Sequence, residues 1–475
     1  MESLEIAFVI SELTPFAKTG GLADVGDALP RALAKMGHDV RVFVPLYGSI
    51  DREAYGLEKR LDADGFSLFE GVLKHSEVPV YFVDAPRWFA RESIYTNDPD
   101  EPSRFAMFCH AVLQSCQRIP FAPRIFHIND WQTALVPLLL QTSYAWDRLF
   151  DGAKTFLSIH NLGYQGVFSN EPIEGLEDID RKHFDAQDES AGVVNFLKTG
   201  ILYADHLSTV SPTYAREIQT EEQGFGLDAL LRSRASDLTG ILNGVDYEDW
   251  SPESDPHIPF RYSVEDVAPK KKKNRDSLAE QLSLSIPDEV PLVGMVTRLS
   301  AQKGIDLLPE VLPEMLAEDQ FALVVLGTGE KSYESFFASL ESRFPGRVCF
   351  YRGFHNALAH FIEAASDIFL MPSRYEPCGL NQMYSLRYGT VPVVRKTGGL
   401  ADSVLPFDPS SGEGTGIVFD HYTAAGLRWA LEMAVRLYRD APAWSRLVDN
   451  GMSRDFSWAG PAVRYSDIYR QLLIH

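Results

Sequence analysis

A glycine-rich loop near the start of the chain carries residues that suit phosphate binding. It reads SELTPFAKTGGLADVG at residues 11–26 and leads into a segment with helical periodicity. Gly20 and Gly21 allow the backbone to approach a ligand closely, Lys18 adds a cation, and the first N–H groups of the following helix favour an anion. The loop lacks the GK[ST] ending of a P-loop. It predicts a phosphate site, with a tight turn that carries a surface lysine as the alternative.

Two cations lie on one loop in the second half of the chain. Arg298 and Lys303 belong to the segment TRLSAQKG, directly after the apolar run LVGMV. An arginine can hold a diphosphate through forked hydrogen bonds, and a lysine can do so as a point charge. Exposed Arg and Lys residues beside a helix start are common, so the pair by itself leaves a surface role open.

An acidic residue lies in the segment SRYEPCGLNQMYSLRYG at 373–389. Glu376 precedes a proline, and Gly379–Asn381 begin a predicted helix whose N-terminal N–H groups favour an anion. A carboxylate beside an anion site is unfavourable unless it meets positive charge or acts as charge develops on the substrate. Glu376 is therefore a candidate catalytic residue, with helix capping as the alternative.

Four short polar side chains follow two further predicted strands. The segments FHINDWQ and SIHNLGYQG place His127, Asp130, His160 and Asn161 at strand ends, where they could bond sugar hydroxyls. They lack the HxxxH spacing or the dense carboxylates of a metal site, so no metal is expected. The alternative for each histidine is a buried ring that bonds a backbone carbonyl.

One heptapeptide occurs twice. The sequence KTGGLAD stands at residues 18–24 and again at 396–402. A match of seven residues is rare by chance in a chain of this length, although coincidence remains the alternative. The repeat suggests similar loop chemistry in each half of the chain, without the fixed period of a solenoid.

These segments belong to a chain that alternates strands and helices. In the first half the apolar runs predict strands at 4–10, 40–44, 78–83, 125–128, 155–159 and 206–210, and helices at 22–36, 105–116 and 134–140. In the second half they predict strands at 291–296, 322–326, 347–351, 368–371 and 391–394, and helices at 305–316, 332–343, 357–365 and 380–388. This alternation is typical of α/β proteins whose parallel sheets are covered on both faces.

The character of the sequence changes after residue 250. The stretch SPESDPHIPFRYSVEDVAPKKKKN predicts a linker into a second domain, whose first helix would begin with solvent-exposed lysines at 270–273. Two doubly wound parallel-sheet domains of similar size result. Ligands of such sheets bind beyond the carboxyl ends of the strands, so we expect the domains to face each other across a cleft lined by the loops above.

Composition excludes several classes of function. The 44 Lys and Arg against 66 Asp and Glu residues give a net charge of −22, which disfavours nucleic acid and anionic membranes as partners.

Four cysteines without a CxxC pair, no basic leader and no long apolar run predict a cytoplasmic location. The chain lacks a GxGxxG with a following acid, and it lacks GxSxG, so neither a dinucleotide oxidoreductase nor a nucleophile-elbow hydrolase is expected. No pattern indicates an oligomeric state.

The motifs taken together resemble a known family. KTGGLAD, HNLGYQG, LNGVD, TRLSAQKG and SRYEPCGLNQMY, followed by the second TGGLAD, occur in an order similar to that of bacterial glycogen synthases and plant starch synthases. These are retaining glucosyltransferases with the GT-B fold of two Rossmann-like domains. The resemblance covers nearly the whole chain. It implies an acceptor-side domain at 1–250, a nucleotide-sugar domain at 251–457, and a last helix at 458–475 that returns to the first domain.

The resemblance also implies roles for the phosphate loops. Lys18 matches the lysine that binds the nucleotide-sugar donor, and Gly20 and Gly21 match the loop that faces its distal phosphate. Arg298 and Lys303 match the pair that binds its diphosphate.

The essential acid of the family matches Glu376. The N–H groups of Gly379, Leu380 and Asn381 would meet the distal phosphate, and Phe354 stands where some relatives carry a tyrosine beside the nucleotide base. Other relatives have threonine at the Asn381 position, so the resemblance implies the same backbone N–H contact there but different side-chain contacts.

Four further residues match contacts to the sugar. Asp24 and Asn243 match positions that line the glucosyl pocket. His160 and Asp130 match polar contacts to the sugar being transferred, and with Glu376 they form the predicted catalytic set.

The implied reaction is the elongation of glycogen. Glucose would move with retention from ADP-glucose to the non-reducing 4-hydroxyl of an α-1,4-glucan, without a metal or prosthetic group. No motif places a nucleophilic carboxylate on the far face of the sugar, so front-face attack is favoured. The alternatives are another retaining GT-B transferase that uses UDP-glucose, and a catalytically silent glucan-binding protein.

Overall fold

The computed structural model describes residues 3–474, without the side chains at 187 and 189. Met1, Glu2 and His475, with which the predicted domains begin and end, lie outside the described residues. No helix in the described range combines the length and the apolar character that crossing a membrane requires. The four cysteines are free thiols.

Contacts divide the chain into two compact units. Unit 1 runs up to Gly244 and resumes at Trp458, and unit 2 comprises Val245–Ser457. The first boundary falls at Gly244, where we expected residue 250. The reason is that Val245 donates its N–H to the Phe456 carbonyl at 2.7 Å, which ties the segment after Gly244 to unit 2.

Unit 1 is an α/β domain around a nine-stranded sheet. Its strands are β1 (Glu5–Val9), β2 (Asp39–Pro45), β3 (Glu58–Ala63), β4 (Phe66–Val72), β5 (Pro79–Asp84), β6 (Ile125–Asn129), β7 (Lys154–Ile159), β10 (His206–Thr209) and β11 (Leu238–Gly240), with β8 (Val167–Ser169) and β9 (Val193–Asn195) as a separate pair. Its helices are α1 (Gly21–Lys35), α2 (Pro86–Phe89), α3 (Glu101–Arg118), α4 (Val136–Gln141), α5 (Ala186–Ser190), α6 (Phe196–Tyr203), α7 (Pro212–Glu217), α8 (Asp228–Ser233) and, after unit 2, α17 (Ala459–Leu472). The strand order is β11-β10-β7-β6-β1-β2-β5-β4-β3.

The central strands of unit 1 pair in parallel and are buried. Strand β1 pairs in parallel with β2 and β6, and β6 with β7, so the carboxyl ends of these strands share one edge. The last two strands at one end of the sheet, β4 and the edge strand β3, pair in antiparallel fashion and were not predicted. Strand β3 reads EKRLDA and is mostly exposed, so it has no apolar run from which a strand could be recognised.

Helix α17 packs within unit 1. Its Tyr469 hydroxyl is hydrogen-bonded to His127 Nδ1 at 2.6 Å, and the other ring nitrogen of His127 is 2.7 Å from Ser158 Oγ. The His127 ring is fully buried, and burial holds its pKa well below the usual range. His127 therefore anchors the last helix and offers no group to a sugar.

Unit 2 is a second α/β domain with a six-stranded parallel sheet. Its strands are β12 (Leu292–Val296), β13 (Ala322–Gly327), β14 (Val348–Arg352), β15 (Ile368–Met371), β16 (Val391–Arg395) and β17 (Ile417–Phe419), in the order β14-β13-β12-β15-β16-β17. Its helices are α9 (Val267–Gln281), α10 (Leu312–Ala317), α11 (Lys331–Arg343), α12 (Asn356–Ala365), α13 (Asn381–Arg387), α14 (Gly398–Ser403), α15 (Ala424–Tyr438) and α16 (Ala441–Met452). The predicted α/β class with two parallel-sheet domains is confirmed.

The predicted helix at 305–316 is interrupted. The chain forms a 3₁₀ helix at Ile305–Glu310 and only then enters α10. Pro309 lies inside the first piece and a second proline lies in the first turn of α10. A proline removes a backbone donor and clashes with the preceding turn, which prevents one continuous helix.

The lysine run at 270–273 is not entirely solvent-exposed, contrary to our expectation. Lys271 is 7% exposed, and its ammonium donates to the carbonyls of Glu363, Ala364 and Tyr388 and to Thr390 Oγ1, at 2.6–3.2 Å. The first two carbonyls belong to the last turn of α12, and the third follows α13. Lys271 thus joins the C-terminal ends of two helices, where a cation is favourable.

Candidate active site

The loop after β1 holds Lys18 beside an acid. The Lys18 ammonium is 2.6 Å from Asp24 Oδ1, and both side chains are partly exposed. Thr14 Oγ1 donates to the same carboxylate oxygen at 3.2 Å. Burial raises the pKa of the Asp24 carboxyl, and the Lys18 charge opposes that effect. The predicted donor-binding residues Lys18 and Asp24 are therefore brought together.

A buried acid that the motifs did not single out shapes this loop. Glu12 is 3% exposed and accepts the N–H groups of Thr19 and Gly20 at 2.6 and 3.0 Å. It also accepts the hydroxyls of Thr19 and Tyr95, at 2.6 and 2.8 Å. The Gly20 N–H is thus already bonded to this carboxylate. Gly21 begins α1 and is exposed, so Gly21 is the better candidate for contact with a phosphate.

Asp130 follows β6 in a strained conformation. Its φ of 57° and ψ of −174° lie in a region that glycine occupies far more readily, at a cost of about 1–3 kcal/mol. Two hydrogen bonds hold it there: its N–H donates to the Ser158 carbonyl at 2.9 Å, and its Oδ1 accepts the His160 N–H at 2.7 Å. Burial raises the pKa of Asp130 to about 7. Strain of this kind is common at functional sites.

His160 follows β7 and lies beside Asp130. Its Nε2 is 2.9 Å from Asn129 Oδ1, and Asn129 Nδ2 in turn donates to the Val9 carbonyl at 3.0 Å. Burial lowers the pKa of His160 to about 3, so the ring is neutral at pH 7. Asn129, which orients the ring, was not predicted, since an asparagine at the end of a buried strand has no distinguishing pattern.

Asn243 follows β11 at the same edge of the sheet. It is 6% exposed, and its Oδ1 is a buried acceptor without a hydrogen-bond donor in the described part of the chain. Such an oxygen is unfavourable unless a donor reaches it. A sugar hydroxyl is a suitable donor.

In unit 2, Glu376 and Lys303 form an ion pair. The Lys303 ammonium is 2.9 Å from Oε1 and 2.7 Å from Oε2, and Ser373 Oγ donates to Oε2 at 2.9 Å. Glu376 is 4% exposed. The positive charge that this carboxylate needs beside an anion site is therefore Lys303, which lies 73 residues earlier. The strands β12 and β15, which precede the two residues, are neighbours.

Backbone N–H groups lie next to this pair. Gly379 has φ of 70°, and the residues Gly379, Leu380 and Asn381 lead into α13. Within the described residues, no acceptor is bonded to these three N–H groups. The Asn381 side chain donates from Nδ2 to the Val296 carbonyl at 2.9 Å, so its amide secures α13 to β12. Arg298 is exposed on the loop that follows β12.

An aromatic side chain is exposed after β14. Phe354 is 80% exposed, which is unusual for a phenylalanine. It precedes α12, whose first turn is capped by His355. A flat apolar face of this kind is suited to stacking against a nucleobase.

The two copies of KTGGLAD have different structural roles, unlike our expectation. In the second copy Gly398 and Gly399 are buried, and Gly399 donates its N–H to the carbonyls of Glu376 and Pro377, both at 3.1 Å. A Cβ on Gly398 would overlap the Glu376 carbonyl. The second copy supports the Glu376 segment, whereas the first copy exposes Lys18 and Gly21.

No group of three or more His, Cys, Asp or Glu residues among those described could hold a metal ion. Unit 2 by itself brings together the Lys303–Glu376 ion pair and the N–H groups of Gly379–Asn381, which can bind a phosphate. Unit 1 by itself brings together Asp130, His160 and Asn243 at one edge of its sheet, and these can bond sugar hydroxyls. This chemistry suits a phosphorylated sugar.

Comparisons with known proteins agree with the fold and the residues. Residues 5–233 match the family described as starch synthase catalytic domain, and residues 277–446 match glycosyl transferases group 1. The chain is 45% identical to a glycogen synthase of Koribacter versatilis over 98% of both chains, and 47% identical to one of Anaeromyxobacter sp. over 99% of both.

Solved structures give the same result. The catalytic domain of starch synthase IV from Arabidopsis thaliana, bound to ADP and acarbose, is 34% identical, with a TM-score of 0.91 over all of both chains. A sucrose-phosphate synthase from Thermosynechococcus elongatus shares the fold, with a TM-score of 0.61 and 18% identity over 99% of both chains. The protein is thus a glucosyltransferase with the GT-B fold. The chain belongs to the family of glycogen synthases and starch synthases.

Proposed function

We propose that this chain elongates glycogen by transferring glucose, with retention, from ADP-glucose to the non-reducing 4-hydroxyl of an α-1,4-glucan. Membership of the glycogen and starch synthase family implies a nucleotide-sugar donor and a glucan acceptor. The choice of ADP-glucose is supported by the starch synthase IV neighbour, whose structure was solved with ADP.

The observation that carries the proposal is the Lys303–Glu376 pair beside the N–H groups of Gly379–Asn381, which have no acceptor in the described part of the chain. When the bond between C1 of glucose and the distal phosphate breaks, negative charge develops on the phosphate. Lys303, Arg298 and the N–H groups of Gly379–Asn381 would stabilise that charge. We also propose that Lys18 binds the donor. Preorganised charge stabilisation of this kind is usually the largest contribution to catalysis.

The proposed step is front-face attack. The acceptor's 4-oxygen forms a bond to C1 on the face from which the phosphate leaves, and the departing phosphate oxygen takes the proton of the 4-hydroxyl. The products are ADP and a glucan longer by one α-1,4-linked glucose. Glu376 holds Lys303 and the sugar in position, while Asp24, Asn243, Asp130 and neutral His160 would bond the sugar hydroxyls.

Comparison of donors tests the proposal. Initial rates on a maltooligosaccharide should be at least about tenfold higher with ADP-glucose than with UDP-glucose. Faster transfer from UDP-glucose would overturn the donor assignment and leave the transferase assignment intact.

Mass spectrometry of the enzyme quenched during turnover tests the mechanism. Front-face attack leaves the protein mass unchanged, and a glucosyl adduct on any residue would overturn it.

We also propose that the reaction needs no metal, so an excess of EDTA should leave the rate unchanged. A cytoplasmic location stays a prediction.

A further inference from the structure

The two loops that carry the ion pair of the candidate active site lie in backbone contact within unit 2. Arg374 donates its N–H to the Gln302 carbonyl at 2.8 Å. On the other side of the pair's lysine, Gly304 has φ of 75°, and a Cβ on it would lie 2.0 Å from the Pro372 carbonyl oxygen. Only glycine allows so close an approach. The separation of the two loops is therefore set by backbone contacts on both sides of the lysine.

Three side chains meet beside this contact. Asp306 Oδ2 accepts a hydrogen bond from Arg374 Nη2 at 2.9 Å, and Asp306 Oδ1 accepts the Tyr422 hydroxyl at 2.5 Å. The guanidinium carbon of Arg374 lies 4.9 Å from the centre of the Tyr422 ring, within the range of a cation–π contact. The three residues follow β12, β15 and β17 respectively. This group, the Asp306 cluster, therefore joins three separate elements of unit 2.

Arg395 connects the Asp306 cluster to the segment that leads to Glu376. It ends β16, and it donates from Nε to the Ser373 carbonyl at 3.1 Å and from Nη2 to the Arg374 carbonyl at 2.7 Å. Its guanidinium carbon also lies 5.6 Å from the centre of the Tyr422 ring. Ser373 is the residue whose hydroxyl donates to the Glu376 carboxylate. The backbone that leads to Glu376 is thus fixed by side chains that lie outside the ion pair.

The exposure of the Asp306 cluster favours a role in orientation over a role in stability. The Arg374 side chain is 55% exposed and the Asp306 side chain is 31% exposed. An ion pair with that exposure contributes little to stability. Burial, together with the Asp306 carboxylate, raises the pKa of Tyr422 to about 12. The Tyr422 hydroxyl therefore keeps its proton at neutral pH and remains a donor to Asp306.

We propose that Asp306 is a positioning residue for the transfer reaction: with Tyr422 it holds Arg374, and thereby the segment that leads to Glu376, against the Lys303 loop. The importance of the ion pair rests on the proposed function. Loss of the Asp306 charge lets the two loops shift relative to each other, and a shift of about 1 Å at a catalytic group can lower a rate about a hundredfold. Asp306 acts through the ion pair and needs no contact with the substrate.

A double-mutant cycle with Glu376→Gln tests this role, with the donor that gives the faster transfer. Asp306→Asn removes the charge and keeps the shape of the side chain. It should lower kcat for transfer to maltotetraose about tenfold, while KM for the donor changes less than about threefold. In the Glu376→Gln background the same substitution should change kcat less than about twofold, because the pair through which it acts is already lost. A merely structural defect would lower kcat by the same factor in both backgrounds.

Two further variants complete the series. Tyr422→Phe keeps the ring and removes one hydrogen bond to Asp306, so it should lower kcat about threefold. Asp319→Asn is the matched control, because Asp319 also forms an ion pair with an arginine of unit 2, Arg347. These two residues precede β13 and β14, at the edge of the parallel sheet opposite to the ion pair of the candidate site. Asp319→Asn should leave kcat within about twofold.

The outcomes of the cycle distinguish this inference from the proposed function. Equal effects of Asp306→Asn in the two backgrounds, or a rise in KM without a fall in kcat, would overturn the positioning role while transfer by the unchanged protein remained. Absence of transfer by the unchanged protein from both ADP-glucose and UDP-glucose would overturn the proposed function and the positioning role together.

Discussion

Replacing Glu376 by glutamine removes one charge and keeps the shape of the side chain. In the folded protein the carboxylate meets the Lys303 ammonium at 2.7 and 2.9 Å and a Ser373 hydroxyl at 2.9 Å. A glutamine can accept one of these bonds through its carbonyl oxygen, but its amide group cannot accept the other. The Lys303 ammonium therefore loses its counter-charge in a site where only a fifth of its side chain is exposed.

The size of the effect follows from the geometry. Two unit charges at 2.7 Å attract each other by about 6 kcal/mol at an effective dielectric constant of about 20. Desolvation of both groups offsets about half of this, which leaves about 3 kcal/mol. We propose that this pair keeps Lys303 in position to stabilise the transition state. Loss of about 3 kcal/mol of that stabilisation in Glu376→Gln should lower kcat about a hundredfold.

Steady-state kinetics with ADP-glucose and maltotetraose measure this change. We expect kcat to fall about a hundredfold while KM for the donor changes less than about fivefold, because the phosphate contacts remain. Glu363→Gln is a matched control: Glu363 is 1% exposed, and burial raises its pKa to about 8, so its carboxyl is mostly neutral at pH 7. It should keep kcat within about twofold. A kcat for Glu376→Gln within about threefold of the unchanged enzyme would refute the catalytic role of the pair.

Three further predictions follow from single side chains. Lys18→Ala should raise KM for ADP-glucose about tenfold or more in steady-state assays, whereas Lys396→Ala, in the second copy of the same heptapeptide, should leave it unchanged, and equal effects would contradict the separate roles of the two copies. Lys271→Met removes an ammonium that donates to three buried carbonyls, of which those of Glu363 and Tyr388 keep a hydroxyl donor, and should lower the free energy of unfolding by about 1–3 kcal/mol in denaturant titrations, whereas Lys272→Met should change it by less than about 0.5 kcal/mol; similar values for both would show that the buried contacts contribute little. Burial raises the pKa of Asp130 from 3.8 to about 7, so the folded form keeps a proton that the unfolded chain releases. The stability of the unchanged protein should therefore fall relative to that of Asp130→Asn as the pH rises from about 4 to about 7 and level off above that, and a constant difference would contradict the raised pKa.

Much of the fold could be predicted because the core strands are continuous apolar runs. Strands such as β7 and β15 lie within a residue of the predicted positions, since buried parallel strands are hydrophobic along their whole length. Strand β3 could not be predicted because it lies at an exposed edge and is mostly polar. The buried position of Lys271 could not be predicted either, because the groups that accept its hydrogen bonds lie 92–119 residues further along the chain.

The candidate site could likewise be predicted only in part from the sequence. The motifs identified Glu376 and Lys303 separately, but that they form a pair depends on β12 and β15 being neighbours, which no local pattern reveals. Glu12 was missed although it lies in the first loop, because its function is to accept N–H groups that are seven and eight residues away. Sequence identified the groups that carry charge, and the structure added the buried groups that hold them.

A time course of ¹H NMR spectra with ADP-glucose and maltotetraose shows both the products of the reaction and the anomeric form of the new linkage. We expect release of ADP together with maltopentaose whose new linkage is α-1,4 from its first appearance. Formation of a β-linkage, release of free glucose in place of transfer, or no reaction of ADP-glucose with the glucan would contradict it.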